Sequence, residues 1–477
     1  MGQLVLNNQT HLAVAPGEAF LRFGTGNPAY GWLFGAETAD VRVGSLVRLA
    51  IPLAGLAGLE GTARISSVTP YRRIDLVHES PWLGHVACLF APGRSGGTRV
   101  TVRVTLDDAE IERLSAELGL VSHRPANGAI AVGLLLSLSG AAGILGRSTS
   151  NCAHLAVEEI NAQGGVLGRP VCLVIADDAT DAAVGRIAMS RLLRTEDLSV
   201  VVGMHSSATF AAAAPLAVAA GIPYLYPSTS EPQRGHPLLV RFGETPLDQL
   251  HVALPRLADE TGGRRWYLTG NDYSWPRAIG DAARAVVARM GGTVAGESYL
   301  PIGSDCFEPV LEAIQRSGAD HVISSFIGQD HVRFERAFAG CGLRSTTRTF
   351  APLLDDAVVE HLGEDASGIW NVLGYFQGLD TARNRQFLDR YVQRFGVCSA
   401  PVSAAAEGVY EAVHSWALAC RRGRGADATA VLDGLRRVRF DGPRMRRPTG
   451  EASLLLGEAG RDGVRVLTDV PAAAGNC

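Results

Sequence analysis

The chain has 477 residues, of which 47% are hydrophobic and 19% are charged, a composition typical of a globular protein rather than a disordered one. Its 44 Lys+Arg and 48 Asp+Glu residues give a formal net charge of −4, which gives no indication of a basic surface for nucleic acid or for an anionic membrane. All 44 basic residues are Arg, and the absence of Lys excludes both a phosphate-binding P-loop and a Schiff-base lysine. The length predicts about three units of roughly 150 residues.

The beginning of the sequence lacks the features of an export signal. Residues 1–22 contain no basic start, no apolar segment and no small-residue cleavage site. The eight cysteines are scattered without a Cys-x-x-Cys pair, so they are expected to be small buried side chains in a reducing compartment. We therefore expect a cytoplasmic protein.

Two long uncharged stretches, 125–146 and 198–230, have the length of a membrane span. Gly and Ser residues interrupt both of them, and Pro residues also interrupt the second. Each pattern predicts a buried strand, a loop and a helix, and no membrane span is expected.

Residues 1–120 are predicted to form a small β-rich domain. Apolar and polar residues alternate strictly over 98–105, which predicts antiparallel strands with one solvated face. A helix is predicted over 107–118, and residues 121–128 are predicted to form a linker. The segment 93–97 matches the Gly-x-Ser-x-Gly pattern of a hydrolase nucleophile, but a strand follows it where that site requires a helix. We therefore predict a hairpin turn at this segment.

Three features of this first domain are similar to a known superfamily. Residues 14–20, the pair Asn27 and Pro28 with Trp32, and the run 91–101 resemble the START-like superfamily, also called the polyketide cyclase or Bet v 1-like fold. The resemblance implies a small α+β domain that holds an apolar ligand or supports a cyclase-type reaction. It identifies no catalytic residue.

From residue 129 onward, apolar runs alternate with helical stretches. Strands are predicted at 130–135, 171–176, 198–203, 222–226, 265–269 and 321–326. Continuous apolar strands separated by helices predict parallel sheets covered on both faces. Ligands of such α/β sheets bind beyond the carboxyl ends of the strands, so the residues that follow each strand are candidates for function.

Hydroxyl, amide and aromatic side chains follow these strands. They suit a small solute that forms many hydrogen bonds, and they include no convergent nucleophile, base and orienting group, so no enzymatic activity is predicted. Ser206, Ser207 and Thr209 fit either a helix cap alone or a cap that also contacts ligand. His205 and His331 are interpreted as polar loop residues, and no motif indicates a metal or a dinucleotide cofactor.

Two segments carry a more specific resemblance. The string 159–169 has the form E-I-N-x-x-G-G-V-x-G-R, and the segment 271–277 is similar to an S-D-Y-x-Y-P-R motif. Residues 129–470 thus resemble the type I periplasmic-binding-protein fold, in the branch that binds branched-chain amino acids, amides and urea. The resemblance implies a two-lobe α/β fold over 129–477, preceded by the START-like domain. It also implies lobe crossovers near 245–250 and again after about 370, with the solute trapped between the lobes.

The resemblance also implies a set of ligand-binding residues. Tyr226 and Ser228 stand where amide-binding members have a tyrosine and a threonine, and Trp275 replaces their second tyrosine. Packing alone is the other interpretation of Trp275. The full set is Ser139, Ser207, Tyr226, Ser228, Trp275, Gln329 and Asp330.

The resulting prediction is a non-catalytic protein that binds a small polar solute (a short amide, urea or a branched-chain amino acid) by lobe closure. We expect an intracellular ligand sensor with a regulatory protein partner. One alternative is the substrate-binding component of an ABC-type amino acid or amide transport system, with a permease as partner. The other is an enzyme or lipid binder that acts through the START-like domain on an apolar ligand.

Overall fold

The computed structural model describes residues 3–25, 36–50, 60–80, 84–93, 96–107, 128–195, 197–229, 231, 235–396, 399–444, 453–461 and 463–470. The chain divides into two compact units, Met1–His123 and Arg124–Cys477.

The first unit is built on an antiparallel sheet of six strands in the order β1-β6-β5-β4-β3-β2. The strands are β1 (Gln3–Leu12), β2 (Leu46–Ala50), β3 (Glu60–Thr69), β4 (Arg73–Ser80), β5 (Gly84–Pro92) and β6 (Thr98–Asp107), and a short helix, α1 (Pro16–Leu21), follows β1. Every second residue is buried along the central strands, for example Val86 and Cys88 in β5 and Val100 and Val102 in β6, and Phe20 of α1 packs in the same cluster. This alternation confirms the antiparallel strands predicted for this segment.

The connection between β5 and β6 is a hairpin. Pro92 pairs with Thr98 in antiparallel register, and the Gly93 N–H donates a hydrogen bond to the Gly97 carbonyl at 3.1 Å. A strand on each side confirms the predicted turn and excludes the strand–turn–helix geometry of a hydrolase nucleophile. The helix predicted over 107–118 and the linker 121–128 lie almost entirely outside the described residues, and the START-like interpretation of this unit stays a prediction.

The second unit contains two sheets. The first is parallel and has the order β11-β10-β9-β7-β8. Its strands are β7 (Ile130–Leu136), β8 (Val171–Asp177), β9 (Leu198–Met204), β10 (Tyr224–Tyr226) and β11 (Leu239–Arg241). The second sheet has the order β13-β12-β14-β15-β16-β17-β18. Its strands are β12 (Arg265–Asn271), β13 (Thr293–Leu300), β14 (His321–Ser325), β15 (Arg348–Phe350), β16 (Trp370–Leu373), β17 (Leu454–Gly460) and β18 (Gly463–Val470).

The strands β12 to β16 pair in parallel, whereas β17 and β18 add an antiparallel hairpin at the edge. Each of the six strands predicted from residue 130 onward coincides with a strand of these two sheets. The parallel α/β architecture predicted for this part of the chain is confirmed.

Helices cover both sheets. They are α2 (Gly146–Ala162), α3 (Ala182–Thr195), α4 (Ser207–Ala219), α5 (Pro246–Thr261), α6 (Ser274–Arg289), α7 (Glu308–Ser317), α8 (Gly328–Gly340), α9 (Asp356–Leu362), α10 (Ala382–Phe395), α11 (Ala404–Gly423) and α12 (Ala428–Leu435). Short polar side chains begin several of them: Thr245 forms a capping box with Asp248 at α5, and Ser206, Asp355 and Ser403 cap α4, α9 and α11. Of the helices in the described ranges, none combines the length and the hydropathy that a bilayer-spanning segment needs.

The second unit is organised as two lobes. The first lobe contains β7 to β11 with α2 to α4 and α10 to α12, and the second contains β12 to β18 with α5 to α9. The chain passes between the lobes three times, in the segments 242–245 and 374–381 and in a third crossing segment between α12 and β17, of which residues 436–444 and 453 are described. Five strands end at the space between the lobes, as expected for a ligand site of parallel sheets. They are β9, β10, β12, β14 and β15.

Candidate ligand-binding site

A cavity of about 80 Å³ lies between the two lobes. The first lobe supplies the start of α4 and the residues after β10, and the second lobe supplies the starts of α6 and α8 and the loop after β15. Four of the seven predicted ligand-binding residues line it: Ser207, Tyr226, Ser228 and Trp275.

The start of α4 presents backbone donors to this cavity. Ser206 is the N-cap, and its Oγ accepts the Thr209 N–H at 3.2 Å. Ser207 is the first helical residue and has no capping role, so its N–H has no carbonyl partner within the helix. The helix dipole adds a partial positive charge at this end, so the start of α4 favours an anionic group.

Buried hydrogen bonds hold this helix start in place. Thr209 donates to the Asp178 carboxylate at 2.6 Å, and Ser137 donates to the other oxygen of that carboxylate at 2.7 Å. Since Asp178 and Thr209 are fully buried, the N-terminus of α4 is rigidly attached to the sheet beneath it.

Tyr226 and Ser228 line the cavity in different ways. The Tyr226 hydroxyl donates to the His205 carbonyl at 2.6 Å, and burial raises the pKa of this phenol well above its usual value. Tyr226 therefore contributes a neutral aromatic wall. The Ser228 hydroxyl is buried and has no hydrogen-bond partner among the described residues.

Trp275 faces the same cavity from the second lobe. It is the second residue of α6, only 1% exposed, and its indole Nε1 is buried without a hydrogen-bond partner in the described part of the chain. An indole N–H can only donate, so Trp275 requires an acceptor that the protein itself does not provide here. A packing role alone would leave this donor unsatisfied at a cost of about 1–3 kcal/mol.

The other three predicted residues lie outside the cavity wall. The Ser139 hydroxyl donates to the Asp177 carboxylate at 2.5 Å. Asp330 is fully buried and accepts hydrogen bonds from Asn271 and from the Gly303 N–H, and burial raises its pKa above the usual value. Gln329 donates its backbone N–H to the Ala141 carbonyl at 2.7 Å. These contacts organise the loops around the cavity.

A family comparison identifies this arrangement. A family model described as periplasmic binding protein matches residues 129–454. The chain belongs to this family. Leu/Ile/Val-binding protein homolog 7 of Brucella suis is 24% identical over 76% of this chain and 96% of its own length.

Two solved structures share the fold of this periplasmic binding protein. The branched-chain amino acid transporter substrate-binding protein LivJ of Streptococcus pneumoniae, in complex with isoleucine, has a TM-score of 0.63 at 20% identity and covers 71% of this chain and 98% of its own. An ABC transporter solute-binding protein of R. palustris, in complex with benzoate, has a TM-score of 0.64 at 21% identity and covers 73% of this chain and 98% of its own. The family match agrees with the solute-binding role that the sequence predicts for residues 129–470.

The lobes of this periplasmic binding protein are in contact beside the cavity. The hydrogen bond from Gln329 to Ala141 joins α8 of the second lobe to the loop after β7 of the first. Gly328 has a φ of +50°, and a Cβ atom at this position would lie 2.1 Å from the Ala141 carbonyl oxygen. The close approach of these two backbones therefore depends on a glycine.

Three charged residues that the sequence does not reveal also line the cavity: Glu244, Asp355 and Arg444. Arg444 donates to Glu244 at 3.1 Å and to Glu407, and its side chain is 4% exposed. Burial, together with the neighbouring Asp356 carboxylate, raises the pKa of Asp355 to about 7. Glu244 and Arg444 lie in crossing segments and Asp355 follows a strand of three residues, so no pattern of the kind that marks Ser207 or Ser228 identifies them.

Proposed function

We propose that this protein is the substrate-binding component of an ABC-type transport system and that it holds a small carboxylate-bearing solute between its lobes. The observation that carries the proposal is the convergence of the unpartnered Ser228 hydroxyl and the unpartnered Trp275 indole N–H on one cavity, beside the N-terminus of α4. The two side chains come from opposite lobes, so one ligand can satisfy both only when the lobes are closed.

The binding mechanism follows from these groups. The start of α4 pairs with the carboxylate through Ser207 and the helix dipole, and Ser228 and Trp275 complete its hydrogen bonds. Each buried polar group that gains a partner recovers about 1–3 kcal/mol. Because this gain exists only in the closed form, the solute shifts the population of the two lobes toward closure.

The known ligands of relatives support a carboxylate. The proteins of S. pneumoniae and R. palustris are in complex with isoleucine and benzoate, which share a carboxylate on an apolar body. The branch that binds short amides or urea is the finer alternative, which the sequence suggests at 271–277.

Calorimetric titration of the full chain tests the proposal. Isoleucine, leucine, benzoate, acetamide and urea are titrated separately, and we expect binding of at least one carboxylate and none of the uncharged amides. If acetamide or urea binds and none of the carboxylates does, the amide alternative is favoured over the carboxylate hypothesis. An absence of heat and of thermal stabilisation with all five would overturn both.

A second candidate is the intracellular sensor predicted from the sequence. The observation that favours it is the first unit, which has its own hydrophobic core and lies outside the residues that match the family model. Cell fractionation and uptake measurements distinguish the two roles. Loss of solute uptake on deletion of the gene supports transport, whereas unchanged uptake and a cytoplasmic protein support the sensor.

A further inference from the structure

A second cavity, of about 500 Å³, lies on the first lobe. Its walls are α2, α10, α11 and the beginning of the third crossing segment, and it shares no lining residue with the cavity between the lobes. Its volume is in the range of sites that hold small molecules, about 300–1,000 Å³.

One end of this cavity carries an ionised carboxylate whose charge is already balanced. Glu159 accepts hydrogen bonds from Arg390 Nε at 2.6 Å, from the Tyr410 hydroxyl at 2.5 Å and from His414 Nε2 at 3.1 Å. Burial opposes the ionised form, but the hydrogen bonds from His414, Tyr410 and Arg390 lower the pKa of Glu159 to about 2. This carboxylate therefore has its acceptors occupied and its charge balanced by Arg390.

The other end carries the positive charge of Arg421, which no carboxylate of the described residues balances. Arg421 lies eleven residues after Tyr410 on α11, which is about 16 Å along the helix. Within the described residues its guanidinium contacts only neutral oxygens, the Gly165 carbonyl at 2.8 Å and Gln163 Oε1 at 3.5 Å. Arg421 can therefore accept an anionic partner without displacing an existing ion pair.

An aromatic wall separates the two ends. The His414 ring stacks in parallel on the Phe440 ring with a centroid distance of 4.4 Å. Ile160, Ala417 and Leu418 add apolar surface to the same cavity. A bound molecule thus meets a cation at one end and an apolar, partly aromatic surface along its length.

We propose that this cavity is a second binding site for a small carboxylate with an apolar or aromatic body. The carboxylate pairs with Arg421, and the body lies against His414 and Phe440. Two carboxylates line the cavity, and each already has a cation: Glu159 pairs with Arg390, and the exposed Asp441 pairs with Arg383. Arg421 has no carboxylate partner in the described part of the chain, so charge complementarity favours an anionic ligand. The site exists independently of the cavity between the lobes.

Histidine-selective NMR of the full chain with sodium benzoate as the probe tests this site. His414 reports on the second cavity and His205 on the cavity between the lobes, so the two sites are read separately. We expect a saturable shift of the His414 ring signals with millimolar benzoate. We also expect Arg421→Gln to raise the benzoate concentration at half-saturation at least tenfold. The substitution removes the charge while keeping two N–H donors. The His205 response should not change.

Two further variants keep the test decisive. Arg422→Gln removes a charge from the adjacent, exposed position and should leave the His414 response unchanged. Arg421→Lys keeps the charge and should retain most of the binding even where Arg421→Gln lowers stability. The proposal would be overturned if the His414 signal did not shift with benzoate up to about 10 mM. A Kd of that size corresponds to a binding free energy of under about 3 kcal/mol. An equal response in the wild type and Arg421→Gln would overturn the proposal as well.

Discussion

Trp275 shows how one buried donor can contribute to ligand affinity. Its indole N–H has no partner in the described chain, so the ligand gains its full hydrogen-bond energy. We expect Trp275→Phe, which keeps an aromatic ring, to weaken carboxylate binding by about five- to tenfold, or roughly 1 kcal/mol. Calorimetry with the tightest-binding solute measures this change.

Ser274→Ala is the matched control for Trp275, since Ser274 is the neighbouring residue on α6 and is exposed. It should bind as the wild type does. Equal affinity of Trp275→Phe and the wild type would show that Trp275 only packs.

Asp355 makes the stability of the site depend on pH. Burial raises its pKa to about 7, well above the value of about 3.9 in the unfolded chain. The folded state therefore prefers the protonated form, and the resulting stability is full below about pH 4 and is lost as the pH rises through 7. Asp356, whose pKa burial raises to about 6, acts in the same direction.

As the pH increases from 5 to 8, we expect the urea midpoint of Asp355→Asn to increase relative to that of the wild type. His321, whose pKa burial lowers to about 4, stabilises both proteins equally as the pH rises and does not affect this difference. Measurements start at pH 5 because Glu159 and Glu335, with pKa values of about 2, lose their stabilising charge only in more acidic solution. The exposed Asp389→Asn is the control and should follow the wild type. The same slope in Asp355→Asn and the wild type would show that Asp355 is not the titrating group.

At the scale of elements, lobe closure depends on how closely α8 approaches the loop after β7. Gly328→Ala adds a Cβ atom 2.1 Å from the Ala141 carbonyl oxygen, at a position with positive φ. Since the nearest atoms all belong to the backbone of Ala141 and Ala142, the lobes must separate to relieve the clash. We expect solute affinity to fall at least tenfold and the solute-induced compaction to be lost in small-angle scattering.

Gly340→Ala is the matched control on the same helix, because a Cβ atom there meets nothing within 4 Å. It should bind and compact as the wild type does. Wild-type affinity in Gly328→Ala would show that the contact with Ala141 is not needed for the bound state.

The predictability of these elements follows their length and burial. Strands such as β7 and β9 have every residue buried, so their continuous apolar runs reveal them directly. By contrast, β15 and β16 have only three and four residues, too short for any periodicity. The hairpin β17–β18 joins the sheet through antiparallel pairing that a parallel pattern does not predict.

The sequence predicts only part of the candidate site, namely the residues placed by recognisable strands and helix starts. Ser207 and Trp275 begin helices that follow long strands, and Ser228 follows the apolar run 222–226. Positions at the carboxyl ends of parallel strands indicate a ligand site. Ser139 and Asp330 occupy similar positions, but Asp177 and Asn271 hold their side chains through contacts 38 and 59 residues away in sequence. Such long-range partners leave no local signal in the sequence.

At the scale of the whole second unit, one guanidinium connects all three segments that join the lobes. Arg444 lies in the third crossing and donates to Glu244 in the first, and Glu244 in turn accepts the Gly374 N–H of the second at 2.8 Å. Arg444 also pairs with Glu407 of α11 and lies 3.8 Å from Glu411. Glu244 and Arg444 line the cavity, so this network of charges lies beside the candidate ligand-binding site.

Replacing this guanidinium should destabilise the whole second unit. Arg444→Met removes a cation from the buried carboxylates of Glu244, Glu407 and Glu411, and we expect a loss of about 3–5 kcal/mol in urea unfolding. Arg383→Met is the control, because it removes an exposed ion pair with Asp441 and should cost less than about 1 kcal/mol. Adding Glu244→Gln and Glu407→Gln to Arg444→Met should recover part of the loss, since fewer buried charges then remain. Equal stability of Arg444→Met and Arg383→Met would show that the crossings are held by their apolar packing alone.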